Sequence, residues 1–457
     1  MRILFYNWTH IDENIGGGVN VYQKQLALNL LEKGHEIYYL NSGLTYDKSA
    51  ELKLVRYHNK LNEKIISYEV INSPVLAPVQ QDVANIKTYL EDSSLADLLA
   101  DFIRKIQPDV IHFNNIEGLS LAVIKLKQEF SEIRFVYSLH NYFPLCSRVD
   151  LWKHTKYEDC NCESHTPDEC AKCYDALSYD DEIHVRKIKS TMFKKLMRKC
   201  LFRKNIIFHK DDDVELYHKF TVETVKAINS CMDNLLAVSK RVADIYIKHG
   251  VDESKVQVMY IGTKVAEQQA DCSAVDVYTL PFGLLYMGYM TKVKGFYSFL
   301  EAVENIPDEM AKDIHVRIVA RHGLHELNAV RRIKKLKSKF HTVELVNGYT
   351  LQTQKKLLQG MHLGVVPILW EDNLPQVAIE QIANGVPIIT SDLGGAKELF
   401  DSDARFVYEA RNVNQLIERI KTIFFDRTLL EQFWSQKKHF PTFAEHIACL
   451  EQLYCQR

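Results

Sequence analysis

The sequence predicts an α/β protein with two domains, each built on a doubly wound parallel sheet. Short apolar segments rich in branched residues alternate with amphipathic stretches from the first residues onward, a pattern typical of strands buried between helices. The alternation lapses near residues 262–282 and then starts again. At 457 residues the chain also exceeds what one hydrophobic core usually supports. Two Rossmann-like domains are therefore expected.

The first half, residues 1–265, is predicted to form one domain. Its first helix follows the first strand and ends at Gly34. The helix has one apolar face, formed by Val19, Tyr22, Leu26 and Leu30. The strand candidates are Arg2–Tyr6, His35–Leu40, Asp109–Phe113 and Phe135–Leu139.

The second half repeats the pattern and is predicted to form a domain over residues 266–440. Its strand candidates are Leu284–Met287, Val316–Val319, Val343–Val346, Gly364–Leu369 and Pro387–Thr390. The closing residues, 441–457, contain a helical stretch from Thr442 to Tyr454.

The composition is that of an ordinary globular protein. Hydrophobic residues make up 46% and charged residues 25%, and the formal net charge is −2, so no global attraction to nucleic acid or anionic lipid is expected. The amino-terminal apolar stretch is too short for a signal peptide, and no run of eighteen apolar residues occurs. We expect a cytoplasmic protein without a nucleic-acid partner.

Two acids separated by seven residues, Asp372 and Glu380, form the most informative pattern in the chain. Asp372 would follow the strand that ends at Leu369, where open α/β sheets bind ligands. Pro375 and Gly385 suit the first turn and the end of a helix that contains Glu380. Glu380 would lie roughly 7 Å of helical rise beyond Pro375, so the two carboxylates could hold hydroxyls on either side of a diphosphate, as in a nucleotide-sugar. A solvated acidic loop followed by a helix with one exposed Glu is the alternative.

A glycine cluster, Gly16-Gly17-Gly18, lies between the first strand and the first helix. Glycine lets the backbone approach a ligand closely, and the amino terminus of a helix suits an anion. A tight turn is the alternative. A dinucleotide oxidoreductase is not expected, because the Gly-x-Gly-x-x-Gly spacing is missing and the second strand ends in Leu40-Asn41-Ser42 without an acid.

His140 stands at the carboxyl end of the predicted strand Phe135–Leu139. An imidazole in that place could donate a hydrogen bond to a phosphate or to a sugar hydroxyl. Most isolated histidines are structural, and His112 is expected to be one, inside a strand.

Close cysteine pairs occupy the segment 146–173. Cys160-x-Cys162 and Cys170-x-x-Cys173 lie eight positions apart, with Cys146, His154 and His165 nearby. Such pairs suit tetrahedral zinc, although their spacing is tighter than in standard zinc modules. Unligated or redox-active thiols are the alternative.

A basic segment follows over residues 186–204, with nine Lys or Arg residues among apolar ones. A basic amphipathic helix of this kind can lie on an anionic membrane surface. A solvated helix face packed on the first domain is the alternative.

Taken together, these motifs resemble the retaining glycosyltransferases of family 4, and the resemblance runs nearly end to end. Members typically carry Glu, seven residues and a second Glu where Asp372 and Glu380 stand. They adopt the GT-B fold of two Rossmann-like domains facing across a cleft. The resemblance implies that residues 441–457 form a helix that crosses back to the first domain. Some members also carry a Cys-rich insertion after the His that matches His140.

The resemblance further implies roles for single residues. The first acid is associated with the transferred sugar and the second with the donor ribose. The catalytic residues it implies are His140 and Asp372, and the donor-binding residues are Gly17, Gly18, Lys292, Lys294, Asn373, Leu374 and Glu380.

Two positions depart from the family pattern. Asp372 is one methylene shorter than the usual Glu, and neighbouring Glu371 could substitute for it. Tyr289 stands where an Arg is expected, which removes a planar donor suited to a diphosphate. Lys292 is the candidate for the missing charge.

The implied activity is transfer of a sugar, with retention, from a nucleotide-sugar to a glycan or polyprenyl-linked acceptor, as in O-antigen, capsule or exopolysaccharide synthesis. Retention would proceed through front-face attack, with the leaving phosphate helping to accept the acceptor proton. No metal is required, so zinc at Cys160, Cys162, Cys170 and Cys173 would be structural. A nucleotide-sugar epimerase of related fold and a non-catalytic nucleotide-sugar-binding protein are the alternatives.

Overall fold

A computed structural model describes residues 1–13, 17–78, 83–143, 145–146, 148–154, 159–162, 169–170, 173, 211–263, 276–435 and 441–456. The chain divides into two compact units. The first unit comprises Met1–Ala237, Ala243–Val258 and Leu453–Arg457, and the second comprises Val238–Val242 and Met259–Gln452. The basic segment 186–204 lies outside the described residues. Each unit is an α/β body, as the sequence predicts.

The first unit is built on a mostly parallel sheet. The strands described in this unit are β1 (Arg2–Tyr6), β2 (Glu36–Thr45), β3 (Lys53–Tyr57), β4 (Ile66–Ile71), β5 (Val110–Phe113), β6 (Arg134–Leu139), β7 (Trp152–His154), β8 (Asp159–Asn161), β9 (Asn234–Ala237) and β10 (Val256–Val258). The helices described are α1 (Gly17–Glu32), α2 (Val83–Glu91), α3 (Ser94–Ile106), α4 (Leu121–Lys125), α5 (Asp211–Cys231) and α6 (Lys240–Lys248). The first turn of α6, through Val242, belongs to the second unit.

The strand order of this sheet is β10-β9-β6-β5-β1-β2-β4-β3, and β7 and β8 form a separate antiparallel pair. Strands β1 and β5 lie in the middle of the sheet, and nearly all of their residues are buried, as expected where helices cover both faces. Strand β2 runs on to Thr45, beyond the predicted end at Leu40. The pattern did not predict β3, an edge strand of mixed polarity whose side chains are all at least partly exposed. It also missed β4, because buried Ser67 and Glu69 interrupt its apolar residues.

The second unit is built on a sheet whose strands are all parallel to their neighbours. The strands described are β11 (Phe282–Met287), β12 (Ile314–Val319), β13 (Thr342–Val346), β14 (Leu363–Val366), β15 (Ile388–Ser391) and β16 (Val407–Tyr408). The helices described are α7 (Phe296–Glu304), α8 (Asp308–Ala311), α9 (Leu327–Leu336), α10 (Leu351–Leu358), α11 (Gln376–Ala383), α12 (Val413–Phe425), α13 (Thr428–Ser435) and α14 (Phe443–Cys455).

Strand order here is β13-β12-β11-β14-β15-β16. All six residues of β11 and all four of β14 are buried, so the two central strands form the middle of the core. The predicted strand 364–369 ends at Val366, where Pro367 removes a backbone donor. Helix α11 contains Glu380 as predicted, with Pro375 as its N-cap. Among the described residues, no helix has the length and apolar character needed to cross a membrane.

Candidate functional site

The sheet of the second unit reverses its winding at one point. From β11 the chain proceeds through β12 and β13 to one side, and β14, β15 and β16 lie on the other side. Strands β11 and β14 are parallel neighbours, and a crevice opens beyond the carboxyl ends of two such strands, where open α/β sheets bind ligands. The residues that follow Met287 and Val366 therefore form the candidate site.

An ion pair joins the loops that leave these two strands. Lys294 Nζ lies 2.5 Å from Asp372 Oδ2, and the two side chains are 30% and 10% exposed. The same Nζ lies 5.0 Å from the centroid of the Trp370 ring. An ammonium beside a carboxylate can bind a ligand that offers an anion to the first and hydroxyls to the second.

Close backbone packing fixes the Lys294 loop. Gly295 has a φ of +67°, and a Cβ added to it would lie 1.5 Å from the carbonyl oxygen of Pro367. The N–H of Leu369 donates to the carbonyl of Val293 over 2.9 Å. Only glycine permits this approach, so the position of Lys294 depends on its neighbour.

Glu371, the possible substitute for Asp372, has partners of its own. Arg241 Nε donates to Glu371 Oε2 over 2.9 Å, and a second Arg241 nitrogen contacts Oε1. The N–H of Gly394 donates to the same carboxylate over 3.0 Å. Burial acts to raise the pKa of Glu371, but Arg241 and the Gly394 N–H outweigh it and hold that pKa below its usual value. Glu371 therefore binds Arg241, and Asp372 is the acid that faces Lys294.

A glycine pair after β15 packs against the backbone of the acidic loop. A Cβ added at Gly394 would lie 2.3 Å from the carbonyl oxygen of Asp372, and one at Gly395 would lie 2.3 Å from that of Asn373. The N–H of Gly395 also donates to the Asp372 carbonyl over 2.9 Å. Leu374 is buried beside them. The predicted donor-binding residues Asn373 and Leu374 thus lie in a loop whose backbone packs against Gly394 and Gly395.

Glu380 is half-buried in α11 and accepts a hydrogen bond of 2.6 Å from the hydroxyl of Tyr349. Burial raises the pKa of Glu380 to about 7, although hydrogen bonds from Tyr349 and Gln354 act in the opposite direction. Burial and the adjacent Glu380 carboxylate raise the pKa of the Tyr349 hydroxyl well above its usual value. Sequence reasoning did not find Tyr349, because no local pattern marks the loop between β13 and α10.

Tyr289, which replaces the expected Arg, is 56% exposed. Its carbonyl accepts a hydrogen bond of 2.6 Å from the Tyr286 hydroxyl. Lys292 is exposed, and its carbonyl accepts from the N–H of Gly295 over 2.8 Å. Lys294 is thus a cation of this loop that the structure pairs with an acid, Asp372.

Another carboxylate, that of Glu398, caps the start of α6. It accepts from the backbone N–H groups of Lys240 over 2.9 Å and Arg241 over 2.7 Å. The hydroxyl of Tyr260 donates to it as well, over 2.9 Å. These contacts satisfy the exposed donors of a helix amino terminus and hold Arg241 where it meets Glu371.

In the first unit, the predicted residues lie at the carboxyl edge of the sheet. Gly17 begins α1 with a φ of +60°, followed by Gly18. His140 follows β6, and its ring lies 5.1 Å from that of Tyr22 on α1. Helix α1 and the loop after β6 therefore meet at His140.

His112 is a buried strand residue, as expected. Its Nδ1 lies 2.5 Å from the hydroxyl of Tyr454, and its Nε2 lies 2.8 Å from Ser138 Oγ. Both ring nitrogens are thus engaged inside the first unit.

The Cys-rich segment is described in part. Cys146 and Cys173 are buried, and Cys173 Sγ lies 3.7 Å from the carbonyl oxygen of Trp152. Burial, with Cys162 and Cys173 nearby, raises the pKa of Cys170 to about 12. Within the described ranges, no three His, Cys, Asp or Glu side chains are placed to hold a metal ion, and His165 lies outside those ranges. Zinc ligation stays a prediction, which metal analysis of the purified protein would test.

Comparison with known proteins matches one segment in each half of the chain. Residues 16–160 match the family described as Glycosyltransferase Family 4, and residues 281–426 match Glycosyl transferases group 1. A relative is an uncharacterized 42.6 kDa protein in the cps region of Klebsiella pneumoniae, 21% identical over 402 residues, which are 87% of each chain. Another is a putative teichuronic acid biosynthesis glycosyltransferase, TuaC, of Bacillus subtilis strain 168, 26% identical over 234 residues, 49% of this chain and 54% of TuaC.

Solved structures agree in fold over the whole chain. HepE of Anabaena in complex with UDP has a TM-score of 0.59 at 14% identity, with 100% of both chains covered. Sucrose-phosphate synthase of Thermosynechococcus elongatus has a TM-score of 0.57 at 14% identity, covering 99% of this chain and 98% of that one. The fold is GT-B, with a glycosyltransferase domain in each half of the chain.

Proposed function

Since this chain carries the two domains of a glycosyltransferase, we propose that it transfers a sugar, with retention, from a nucleotide-sugar to a glycan or lipid-linked acceptor. Relatives from a cps region and from teichuronic acid biosynthesis support a role in surface polysaccharide assembly. HepE, a protein of the same fold, binds UDP and UDP-glucose, which supports a nucleotide-sugar as donor. We place the reaction in the cytoplasm, at the inner face of the membrane where lipid-linked acceptors reside.

The main support for this proposal is the Lys294–Asp372 pair, which follows β11 and β14, where the sheet reverses its winding. A diphosphate needs a cation and sugar hydroxyls need acceptors, and the pair offers both within 2.5 Å. Glu380, in the helix that follows, is the proposed acceptor for the ribose hydroxyls. Lys294 would also stabilise the negative charge that develops on the departing diphosphate.

The proposed chemistry exchanges one bond at the anomeric carbon for another. The bond to the leaving phosphate oxygen breaks, the acceptor oxygen bonds to the same face of the sugar, and the acceptor proton passes to the phosphate. The first unit is proposed to contribute His140 and the Gly17-Gly18 turn to binding of the acceptor.

A donor panel tests the activity. The purified protein is incubated with UDP-, GDP- and ADP-sugars and an acceptor series, and nucleotide release is measured. The anomeric proton of the product, observed by NMR, reports retention or inversion. Isomerised sugar from donor alone would favour an epimerase, and donor binding without turnover would favour a non-catalytic binding protein.

We predict that Lys294→Ala and Glu380→Ala each lower kcat/KM by at least about a hundred-fold, because each removes a charged donor contact at the crevice. The controls are Lys335→Ala and Glu309→Ala, exposed residues of the same unit, which should keep full activity. Circular dichroism confirms that all four variants are folded. Full activity in both site variants would refute the site assignment.

A further inference from the structure

Glu69, a buried acid of β4, is paired with a histidine. Its side chain is 9% exposed, and in the part of the chain that the structure describes no Lys or Arg forms an ion pair with it. His10 Nε2 lies 2.7 Å from Glu69 Oε1. Asn41 Nδ2 donates to the same oxygen over 3.2 Å, and the Thr45 hydroxyl contacts it as well. Because a buried carboxylate is costly without such partners, Glu69 holds the His10 ring in place.

Packing orients this imidazole further. The ring of Tyr57, at the end of β3, stacks on it with the centroids 4.6 Å apart and an interplanar angle of 25°. The hydroxyl of Tyr39 donates to the carbonyl of Thr9 over 2.6 Å, which fixes the backbone just before His10. The His10 side chain is 24% exposed, and among the described residues its Nδ1 has no hydrogen-bond partner. One ring nitrogen is thus bound, and the other is open to a ligand.

The open nitrogen suits a hydroxyl better than an anion. Burial acts to lower the pKa of His10. The hydrogen bond to Glu69, with Glu13 and Asp12 nearby, outweighs burial and raises that pKa above its usual value. Nδ1 donates when the ring is protonated and accepts when it is neutral, and a hydroxyl can pair with both forms. A ligand carboxylate or phosphate would be repelled by the three acids, so these surroundings favour a neutral sugar.

The His10–Glu69 pair lies at the same edge of the sheet as His140. Glu69 is paired with Asn41, one step beyond the pairing of Tyr6 with Leu40 at the end of β1. It therefore lies at the carboxyl edge, where His140 follows β6. Strands β6 and β4 are four spacings apart in the order β6-β5-β1-β2-β4, which is roughly 19 Å. One sugar residue does not span this distance, so contact with both histidines requires a chain of several.

We propose that His10 is an acceptor-binding residue whose Nδ1 pairs with a hydroxyl of a neutral oligosaccharide. The sugar that it contacts lies several residues along the acceptor from the hydroxyl that receives the transferred sugar. Glu69 and Tyr57 hold the imidazole in the orientation that this contact needs. This inference rests on the proposed function and adds to it the class of acceptor, an uncharged chain of several sugars.

Acceptor kinetics with oligosaccharides of one to four residues test the inference. The probes are malto-, cello- and manno-oligosaccharides and, as anionic counterparts, oligogalacturonides of the same lengths. Each is used with a saturating concentration of the nucleotide-sugar that the donor panel identifies, and nucleotide release is measured. In the wild-type protein, we expect the KM of a neutral acceptor to fall once the chain is long enough to reach His10. The KM of the galacturonides should show no such fall.

His10→Gln separates the ligand contact from a structural role. The glutamine amide can take the position of Nε2 and donate to Glu69, but it leaves nothing in the place of Nδ1. We expect the KM of the long neutral acceptors to rise about ten-fold, as for one lost hydrogen bond. The KM of the monosaccharide, the KM of the donor and the thermal unfolding temperature should not change. His218→Gln, at an exposed histidine of the same unit, is the control and should keep all wild-type values.

A second measurement does not depend on the folding of a variant. In wild-type protein labelled with ¹⁵N at histidine, the Nδ1 resonance of His10 should shift when a neutral tetrasaccharide acceptor is added. It should stay in place when the monosaccharide is added.

The inference is overturned if the KM does not depend on chain length, if folded His10→Gln keeps the wild-type dependence, or if the galacturonides are the better acceptors. A Nδ1 resonance that does not respond to the tetrasaccharide overturns it as well. In the kinetic outcomes the wild-type protein still transfers sugar, so the proposed function stands. If the wild-type protein transfers sugar to no acceptor, the proposed function fails instead.

Discussion

Glu380 shows how the surroundings of a single residue set its protonation. Burial in α11 raises the pKa of its carboxyl to about 7, with Tyr349 and Gln354 acting to lower it. The group is therefore mostly protonated at pH 6 and mostly ionised at pH 8. Because a carboxylate accepts hydrogen bonds more strongly than a neutral acid does, donor binding should improve as the pH rises.

We predict that kcat/KM rises with pH around a midpoint near 7. Glu380→Gln should remove this rise, because the amide does not titrate. Tyr349→Phe should shift the midpoint upward, since a hydrogen bond to the ionised form is lost. A pH profile of the three proteins is the measurement, and a rise that persists unchanged in Glu380→Gln would assign it to another group.

The same carboxyl affects stability in the opposite sense. Its pKa is raised in the folded state, so the folded state binds more protons than the unfolded state between about pH 4.5 and 7, and the free energy of unfolding falls as the pH rises through that range. Urea unfolding at pH 5 and pH 8 should show Glu380→Gln gaining about 2 kcal/mol over wild type at the higher pH only.

At the scale of elements, the loops after β11, β14 and β15 depend on close backbone contacts. Gly295 approaches Pro367, and Gly394 approaches Asp372. The positions of Lys294 and Asp372 thus follow from residues that carry no functional group.

We predict that Gly295→Ala lowers the free energy of unfolding by at least about 3 kcal/mol, because it combines a left-handed backbone conformation with a steric clash. The matched control is Gly360→Ala, where φ is +72° and no atom lies within 4 Å of the new Cβ. This variant should lose only about 1 kcal/mol, the cost of the conformation. Urea unfolding of both variants gives the comparison, and equal losses would refute the importance of the Pro367 contact.

At the scale of the whole molecule, the end of the chain contributes to the first unit. Leu453–Arg457 belong to that unit, and the hydroxyl of Tyr454 meets buried His112 at 2.5 Å. The ring nitrogen of a histidine in the central strand β5 is thus paired with a hydroxyl 342 positions away in the sequence.

We predict that Tyr454→Phe lowers the free energy of unfolding by about 1–3 kcal/mol, because a buried imidazole nitrogen loses its partner. The control is Tyr278→Phe, at a ring that is 57% exposed, which should change it by less than about 0.5 kcal/mol. Chemical denaturation followed by fluorescence measures both, and an unaffected Tyr454→Phe would show that this contact contributes no stability.

The sequence by itself determined the two α/β halves and most of their central strands. Strands buried on both faces leave short continuous apolar runs, and a half-buried helix leaves a period of 3.6 residues, so the central strands and α11 could be predicted. Ligand chemistry at a strand end pointed to Asp372 and Glu380, and the family resemblance pointed to Lys294. The sequence did not predict β3, an edge strand of mixed polarity with no fully buried residue, or β4, whose apolar residues are interrupted by buried Ser67 and Glu69.

Only the tertiary structure decided which groups meet. Arg241 and Glu371 lie 130 positions apart, Lys240 and Glu398 lie 158 apart, and Tyr349 reaches Glu380 from a loop without a pattern. Such pairs depend on how strands and helices pack, and a single sequence records no spacing for contacts between distant segments. For this reason the sequence pattern pointed to the acids of the candidate site, whereas only the fold shows which groups contact them.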